Sequence, residues 1–421
     1  KVIPNGNMFL SKNPNQYLPD IWPAYFSKAK DSYVWDLDKK KYFDFCTMGV
    51  GTNVLGYCNK IIDSAVKKNI SKGTMSSLNC PEEVMLSEKL LDIHKDFKKV
   101  KLARTGGEAN SIAIRIARAN TNKQKVLICG YHGWHDWYLA ENLKIKKNLG
   151  KHIKIKGVPK KLKNSIYSFE YNNFKTLESL VKNKKIGVIC MEVTRNEKPK
   201  KNFLKKVRSL CNKKGIVLIF DECTSGFRKN YGGIHKMFKV NPDIAIFGKA
   251  LGNGYAITAI IGKKKIMNYS QDSFISSTFW TERIGSVAAL ATLKEMERIK
   301  SWKIISNLGK RVKNNWLKIA KRNNIDISVY GIDALPRFDF KNKNKDYLKT
   351  FLTQEFLKKN FLASNVIYLC VNHDNTKILD DYFNILDEIF NKISTTNVDI
   401  KKLLDGPVCL TGLRDKDNYD K

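Results

Sequence analysis

The chain has 421 residues, of which 43% are hydrophobic and 11% aromatic, and its net charge is +36. This is enough apolar material for a sizeable core, so the composition excludes an intrinsically disordered chain, and the length suits two unequal domains. The sequence contains no run of about 18 uninterrupted apolar residues, so we expect no membrane-spanning helix and no membrane partner.

The excess of positive charge has two interpretations. A nucleic-acid binder concentrates lysine and arginine on one face and interleaves them with aromatic residues. Here the lysines are scattered through every segment, so we expect solvated surfaces and no specific nucleic-acid partner. The nine cysteines include no CxxC pair and lie mostly within apolar runs, which predicts reduced thiols in a cytoplasmic protein.

The pattern changes twice along the chain. Residues 1–75 are rich in turns, and 33–38 followed by 41–43 predict a hairpin. From 76 to 295, short apolar runs alternate with helical patterns, and several runs are apolar throughout, as strands buried on both faces are. The candidate strands are 99–104, 125–129, 186–191, 215–220, 243–247 and 256–262. Residues 296–421 return to helices and short strands.

This order predicts an α/β fold. A large domain (76–295) would contain a mainly parallel sheet, and a small α+β domain would form from both chain ends (1–75 and 296–421). The clearest helix follows Gly107, with an apolar stripe that faces the core and Arg115 and Arg118 facing away. The stripe consists of Ala109, Ile112, Ala113, Ile116 and Ala117.

Ligands of open α/β sheets bind at the carboxyl ends of the strands, so the residues that follow each strand are the candidate site. These are Thr105, Gly106 and Gly107; Gly130, Tyr131 and His132; Asp221 and Glu222; and Gly248 and Lys249. Two glycines at a helix start let backbone N–H groups approach a phosphate. A carboxylate can neutralise a ring nitrogen, and a desolvated lysine becomes nucleophilic. Together these groups describe a pocket for pyridoxal 5′-phosphate (PLP).

Longer motifs carry a family resemblance. Over residues 30–300 the chain resembles the class III aminotransferases of fold type I, and especially the glutamate-1-semialdehyde 2,1-aminomutase branch. The segments that carry it are 35–44, 104–109 (RTGGEA), 131–136 (YHGWHD), 220–228 (FDECTSGFR) and 247–254 (FGKALGNG).

The resemblance implies a role for each matching residue. Lys249 would form a Schiff base with PLP and then transfer protons, and Asp221 would keep the pyridine nitrogen protonated. Tyr131 and Cys223 would lie against the two ring faces. Thr105, Gly106 and Gly107 would bind the phosphate, helped by Thr278 from the second subunit of a homodimer with shared active sites. His132, Glu192 and Asn196 would complete the cofactor site, the last two near the ring hydroxyl.

The resemblance leaves the substrate open. The main hypothesis is amino transfer between a small amino compound and an oxo or aldehyde compound. The alternatives are the aminomutase reaction, a sugar-nucleotide aminotransferase and a non-catalytic protein that uses this fold to bind anions or nucleic acid. Two residues depart from the family pattern, because Gly107 replaces a threonine and Arg104 replaces an asparagine. A substrate carboxylate could be bound by one of four arginines, which are Arg195, Arg228, Arg283 and Arg337. His132, His135 and Asp136 are too few for us to expect a metal site.

Overall fold

The computed structural model describes residues 2–144, 149, 153–396 and 399–410. The chain divides into two compact units. The first is formed by the residues up to Asn59 together with those from Lys303 onward, and the second is Lys60–Trp302. The domain boundaries that the sequence predicts, at 75/76 and 295/296, stay a prediction.

The elements are numbered in chain order. The strands are β1 (Phe26–Lys30), β2 (Tyr33–Asp36), β3 (Lys41–Phe45), β4 (Lys99–Ala103), β5 (Lys125–Cys129), β6 (Ile166–Ser168), β7 (Ile186–Glu192), β8 (Val217–Asp221), β9 (Ile244–Phe247), β10 (Thr258–Gly262), β11 (Ile327–Tyr330), β12 (Arg337–Phe340) and β13 (Phe361–Ala363). The helices are α1 (Met48–Gly51), α2 (Lys60–Ile70), α3 (Pro81–Ile93), α4 (Gly106–Thr121), α5 (Asp136–Leu139), α6 (Phe174–Asn183), α7 (Phe203–Lys214), α8 (Lys264–Met267), α9 (Arg283–Ile299), α10 (Ser301–Arg322), α11 (Lys345–Lys358) and α12 (Thr376–Thr395).

The second unit is built on a seven-stranded sheet in the order β4-β10-β9-β8-β7-β5-β6. The pairs from β9 to β6 are all parallel, and β10 runs antiparallel to both of its neighbours. Every residue of β8 and β9 is buried, as strands covered on both faces must be. The mainly parallel α/β sheet predicted from the sequence is confirmed.

Helix α4 packs its predicted stripe into the core of this unit, where all five stripe residues are buried. Arg115 is exposed and Arg118 is half-buried. Because α4 follows β4 directly, its first turn lies at the edge of the sheet where the parallel strands β5, β6, β7, β8 and β9 also end.

The first unit contains the sheet β1-β2-β3-β13 and the pair β11-β12. The predicted hairpin is present as β2 and β3, which pair antiparallel. Strand β13 pairs parallel with β3, so residues from both ends of the sequence share one sheet. The core of this unit includes Phe45, Trp316, Phe356 and Tyr382, all fully buried.

Within the described residues, no helix is long and apolar enough to cross a membrane. All nine cysteines lie in the described part of the chain as free thiols, and most of them are buried.

Candidate active site

Helix α4 begins with a capping box. The Thr105 hydroxyl accepts from the backbone N–H of Glu108 (3.3 Å), and the Glu108 carboxylate accepts from the backbone N–H of Thr105 (2.8 Å). The N–H groups of Gly106 and Gly107 come next in a turn where no helical carbonyl is available to them. The helix dipole makes this turn favourable for an anion.

Asp221 ends β8 in a buried, fully bonded position. Its carboxylate accepts from His132 Nδ1 (2.8 Å), Asn110 Nδ2 (2.9 Å) and the backbone N–H of Cys223 (3.0 Å). Burial alone would raise the pKa of Asp221, but the hydrogen bond and charge of His132, together with the hydrogen bonds from Cys223 and Asn110, hold the pKa below its usual range. Asp221 is therefore an ionised carboxylate inside the protein, which a cationic ring nitrogen would neutralise.

Asn110 and His132 hold this carboxylate in place through hydrogen bonds. Asn110 is 2% exposed, and its amide also donates to the carbonyl of Gly106 (2.9 Å). It thereby ties the anion-binding turn of α4 to Asp221. Burial lowers the pKa of His132, but Cys190 and Asp221 raise it well above its usual value. Its Nδ1 atom lies 2.8 Å from the Asp221 carboxylate and donates to it.

Lys249 follows β9 and Gly248 in a left-handed conformation (φ 46°). Its amine donates to the Thr224 hydroxyl (2.9 Å). Burial lowers the pKa of Lys249, and the charge of Arg195 adds to this effect. A lysine with a depressed pKa is deprotonated more easily and is a better nucleophile and base.

Small residues bring the three strand ends together. A Cβ atom built on Gly106 would lie 3.5 Å from Cys223 Sγ, and one built on Gly248 would lie 3.3 Å from the same sulfur. The anion-binding turn, the residue that follows Asp221–Glu222 and the backbone beside Lys249 therefore meet around Cys223. Burial raises the pKa of the Cys223 thiol, as does Asp221, so this cysteine is a neutral, unreactive contact.

Tyr131 lies on the turn after β5 and is 43% exposed, with its ring edge-on to Tyr138 (6.0 Å between centroids). The Tyr138 hydroxyl donates to the carbonyl of Gly130 (3.0 Å) and so holds this turn. Gly130 is required here, because its φ is 116° and a Cβ atom would lie 2.6 Å from Glu192 Oε2.

Glu192 ends β7 directly opposite Asp221 in the parallel β7–β8 register. Its carboxylate lies 3.4 Å from an Arg195 guanidinium nitrogen, and burial raises its pKa while Arg195 opposes this. Asn196 and Thr278 are exposed. Among the described residues, neither of them hydrogen-bonds to Asp221 or Lys249.

The sequence offers four arginines as candidate ligands of a substrate carboxylate, and the structure shows that their surroundings differ. Arg283 bonds Glu82 (2.9 Å), and Arg228 is 1% exposed and donates to the carbonyl of Thr224 (2.7 Å). Arg337 belongs to the other unit. Arg195 is partly exposed, and its charge acts on both Tyr131 and Lys249.

Arg104, the second departure from the family pattern, is bound to the start of α9. Its guanidinium donates to the main-chain carbonyl of Glu282 and lies 3.6 Å from the Glu282 carboxylate. Glu282 in turn caps α9. The role of Arg104 in the structure is thus to join β4 to α9.

The chain matches the description "Aminotransferase class-III" over residues 18–387. It belongs to the class III aminotransferases. It is 32% identical over 391 residues to a 3-aminobutyryl-CoA aminotransferase of Cloacimonas acidaminovorans, covering 89% of this chain and 90% of that protein. A glutamate-1-semialdehyde 2,1-aminomutase of Nitrosopumilus maritimus is 36% identical over 319 residues, covering 73% of each.

The fold is similar to the PLP internal aldimine form of the Sphingopyxis sp. MTA144 FumI protein. The TM-score is 0.85 at 21% identity, covering 97% of this chain and 96% of that one. The fold type I architecture expected from the resemblance is thereby confirmed. The protein is an enzyme of this class, and its cofactor is PLP.

The residues present fit this cofactor. The first turn of α4 offers the backbone N–H groups of Gly106 and Gly107 for a phosphate, Asp221 offers a buried anion, and Lys249 offers a desolvated amine. His135 Nδ1 beside the same turn is a buried polar atom without a partner among the described residues. Sequence reasoning missed Asn110, Thr224 and Tyr138, because a single polar residue in an apolar helix stripe or a turn has no local signal.

Proposed function

We propose that the protein transfers an amino group between a small amino compound and an oxo or aldehyde compound, and that Lys249 is its reactive lysine. The observation that carries this proposal is the desolvated Lys249 amine on the same sheet edge as the ionised Asp221 carboxylate. When bound, PLP supplies an electron sink that stabilises negative charge on the substrate carbon.

The roles proposed for the chain's residues follow from their positions. Thr105, Gly106 and Gly107 hold the phosphate through the first turn of α4. Asp221 keeps a proton on the pyridine nitrogen, and His132 and Asn110 hold Asp221 in place.

Five further residues would surround this cofactor position. Tyr131 and Cys223 would confine the ring between them, and Glu192 and Asn196 would bind its hydroxyl group. Lys249 Nζ would take the proton from the substrate carbon that bears nitrogen and deliver it to the C4′ carbon of the cofactor.

The identity of the reactive lysine can be tested by covalent labelling with the cofactor. The protein is reconstituted with PLP, its visible spectrum is recorded, and borohydride is added before peptide mapping. We expect the label on Lys249, loss of the Schiff-base band in Lys249→Ala, and no change in the control Lys264→Ala, which alters an exposed lysine. Labelling of another lysine, or full amino transfer by Lys249→Ala, would contradict the proposal.

The aminomutase reaction is the second candidate, because the Nitrosopumilus relative bears that name at 36% identity. A donor panel with glutamate-1-semialdehyde and 3-aminobutyryl-CoA, each with and without a separate oxo acceptor, distinguishes the two. Turnover without an acceptor favours the mutase. Turnover that requires an acceptor favours the transferase.

We further propose a homodimer in which Thr278 reaches the partner's phosphate. Several apolar side chains of the second unit support it by their exposure, which is 90% for Phe274, 67% for Phe279, 82% for Leu78 and 59% for Val84. Phe279 follows Thr278 in the chain, so such an interface would include this turn. Sedimentation analysis of the protein and of Phe279→Glu tests it, since the charge should produce monomers.

We also propose a cytoplasmic location, which the free thiols support.

A further inference from the structure

The imidazole ring of His135 occupies the space into which a side chain at position 107 would project. A Cβ atom built there would lie 2.7 Å from His135 Cε1 and 2.9 Å from His135 Nδ1, well inside carbon van der Waals contact. Gly133 completes this packing, because a Cβ atom on it would lie 2.9 Å from the Gly107 Cα. The turn after β5 therefore folds over the start of α4 and puts the His135 ring against the second residue of that helix.

The ring of His135 is held in place by its neighbours, but its Nδ1 atom has no hydrogen-bond partner among the described residues. Trp134 stacks on its ring, with centroids 4.5 Å apart and planes at 21°. Its Nδ1 atom is buried and has no hydrogen-bond partner among the described residues. A buried polar atom in a fixed ring is normally bonded to something. This atom lies 2.9 Å from the point that a Cβ of Gly107 would occupy in the first turn of α4, so an anion at the helix start is the partner that fits.

The electrostatics agree with an N–H donor. Burial lowers the pKa of His135, while the charges of Glu108 and Asp136 oppose this. A neutral imidazole carries one ring N–H, and the tautomer with the proton on Nδ1 can donate it. An anion at the helix start would favour this tautomer.

We propose that His135 Nδ1 donates a hydrogen bond to an oxygen of the cofactor phosphate, so that the Gly107–His135 pair replaces the threonine hydroxyl of the family pattern. This rests on the proposed function, which places that phosphate at the first turn of α4. His135 is thus a positioning residue for the cofactor, and Gly107 is a glycine because the imidazole occupies the space.

The test compares PLP with pyridoxal, which lacks the phosphate, by measuring the dissociation constant of each from the apoprotein. In His135→Ala we expect PLP to bind about 10- to 100-fold more weakly, since a hydrogen bond to a charged group is lost, and pyridoxal to bind as before. His135→Asn keeps a side-chain N–H near the Nδ1 position and should recover most of the affinity.

Gly107→Thr supplies the reciprocal test. Alone it should disrupt PLP binding, because the new side chain meets the imidazole. Combined with His135→Ala it should bind PLP within a few-fold of the parent, since space and a hydroxyl are both restored. Circular dichroism verifies that each variant is folded.

Two results would overturn the inference. One is equal loss of PLP and pyridoxal affinity in His135→Ala, which would make the residue purely structural. The other is unchanged PLP affinity in that variant while borohydride still labels Lys249, which would leave the proposed function standing and remove only His135. If the parent protein binds no PLP at all, both the proposed function and this inference fail.

Discussion

The contact between His132 and Asp221 yields a quantitative prediction for His132→Leu, which removes one of three donors to a buried carboxylate. A hydrogen bond to a charged group contributes about 1.5–3 kcal/mol, and loss of a partner from a buried ion pair costs about 3–5 kcal/mol. Because Asn110 and the backbone N–H of Cys223 still bond Asp221, we expect a loss near the low end, about 3 kcal/mol in the free energy of unfolding.

The second unit offers a matched control. His235 Nδ1 lies 2.6 Å from Glu222, and both residues are buried. Glu222 also keeps other donors when this imidazole is removed, among them the backbone N–H of Ile234 (2.7 Å). Urea unfolding of the two apoproteins at pH 7 should therefore give similar losses for His132→Leu and His235→Leu.

Cofactor binding should separate the two variants. Only His132 holds the carboxylate that we propose for the pyridine nitrogen, so only His132→Leu should weaken PLP binding and shift the visible spectrum of the reconstituted protein. If both variants lose stability equally and bind PLP equally well, His132 serves the core alone. If His132→Leu is as stable as the parent, the assignment of a charged, bonded pair is wrong.

Three further predictions concern other parts of the molecule. Arg195→Gln should raise KM about 10- to 100-fold for carboxylate-bearing donors, with little change for amines that lack a carboxylate; equal effects on both would exclude Arg195 as the carboxylate ligand. Gly309→Ala should cost about 3 kcal/mol or more, read from urea unfolding, because its Cβ atom would lie 1.6 Å from the carbonyl of Asp333; an unchanged midpoint would refute this. Burial lowers the pKa of His94 and His373 to about 4. Between about pH 6.5 and 4 the unfolded chain therefore binds more protons than the folded chain. The free energy of unfolding should fall by about 2 kcal/mol per histidine from pH 7 to pH 5. A smaller fall in His373→Leu would support this, and a flat profile in the parent would contradict it.

The sequence can single out the residues at strand ends because one rule of topology governs where parallel strands end. Parallel strands deliver their carboxyl ends to one edge, so Thr105, Asp221 and Lys249 can be grouped before any contact is known. Strand β6 was not predicted, since three residues, Ile166–Ser168, are too few to display a period.

Residues that hold a site residue in place through a hydrogen bond cannot be identified from strand topology. Asn110 is one polar position among the buried apolar residues of α4, and only the folded chain shows that it bonds both Gly106 and Asp221. Thr224 is likewise identified by its 2.9 Å contact with the Lys249 amine. Their roles arise from tertiary distances between elements that are far apart in sequence, which composition and periodicity do not contain.

The two departures from the family pattern illustrate the same limit. From the sequence, Gly107 is a lost hydroxyl and Arg104 is a gained charge. In the structure the space at Gly107 is filled by His135, and the guanidinium of Arg104 is bound by Glu282. Each of these two residues therefore packs against or binds a residue that lies elsewhere in the chain. A variant at either position should be interpreted only together with its partner, because a single substitution measures both the lost contact and the misfit that it leaves behind.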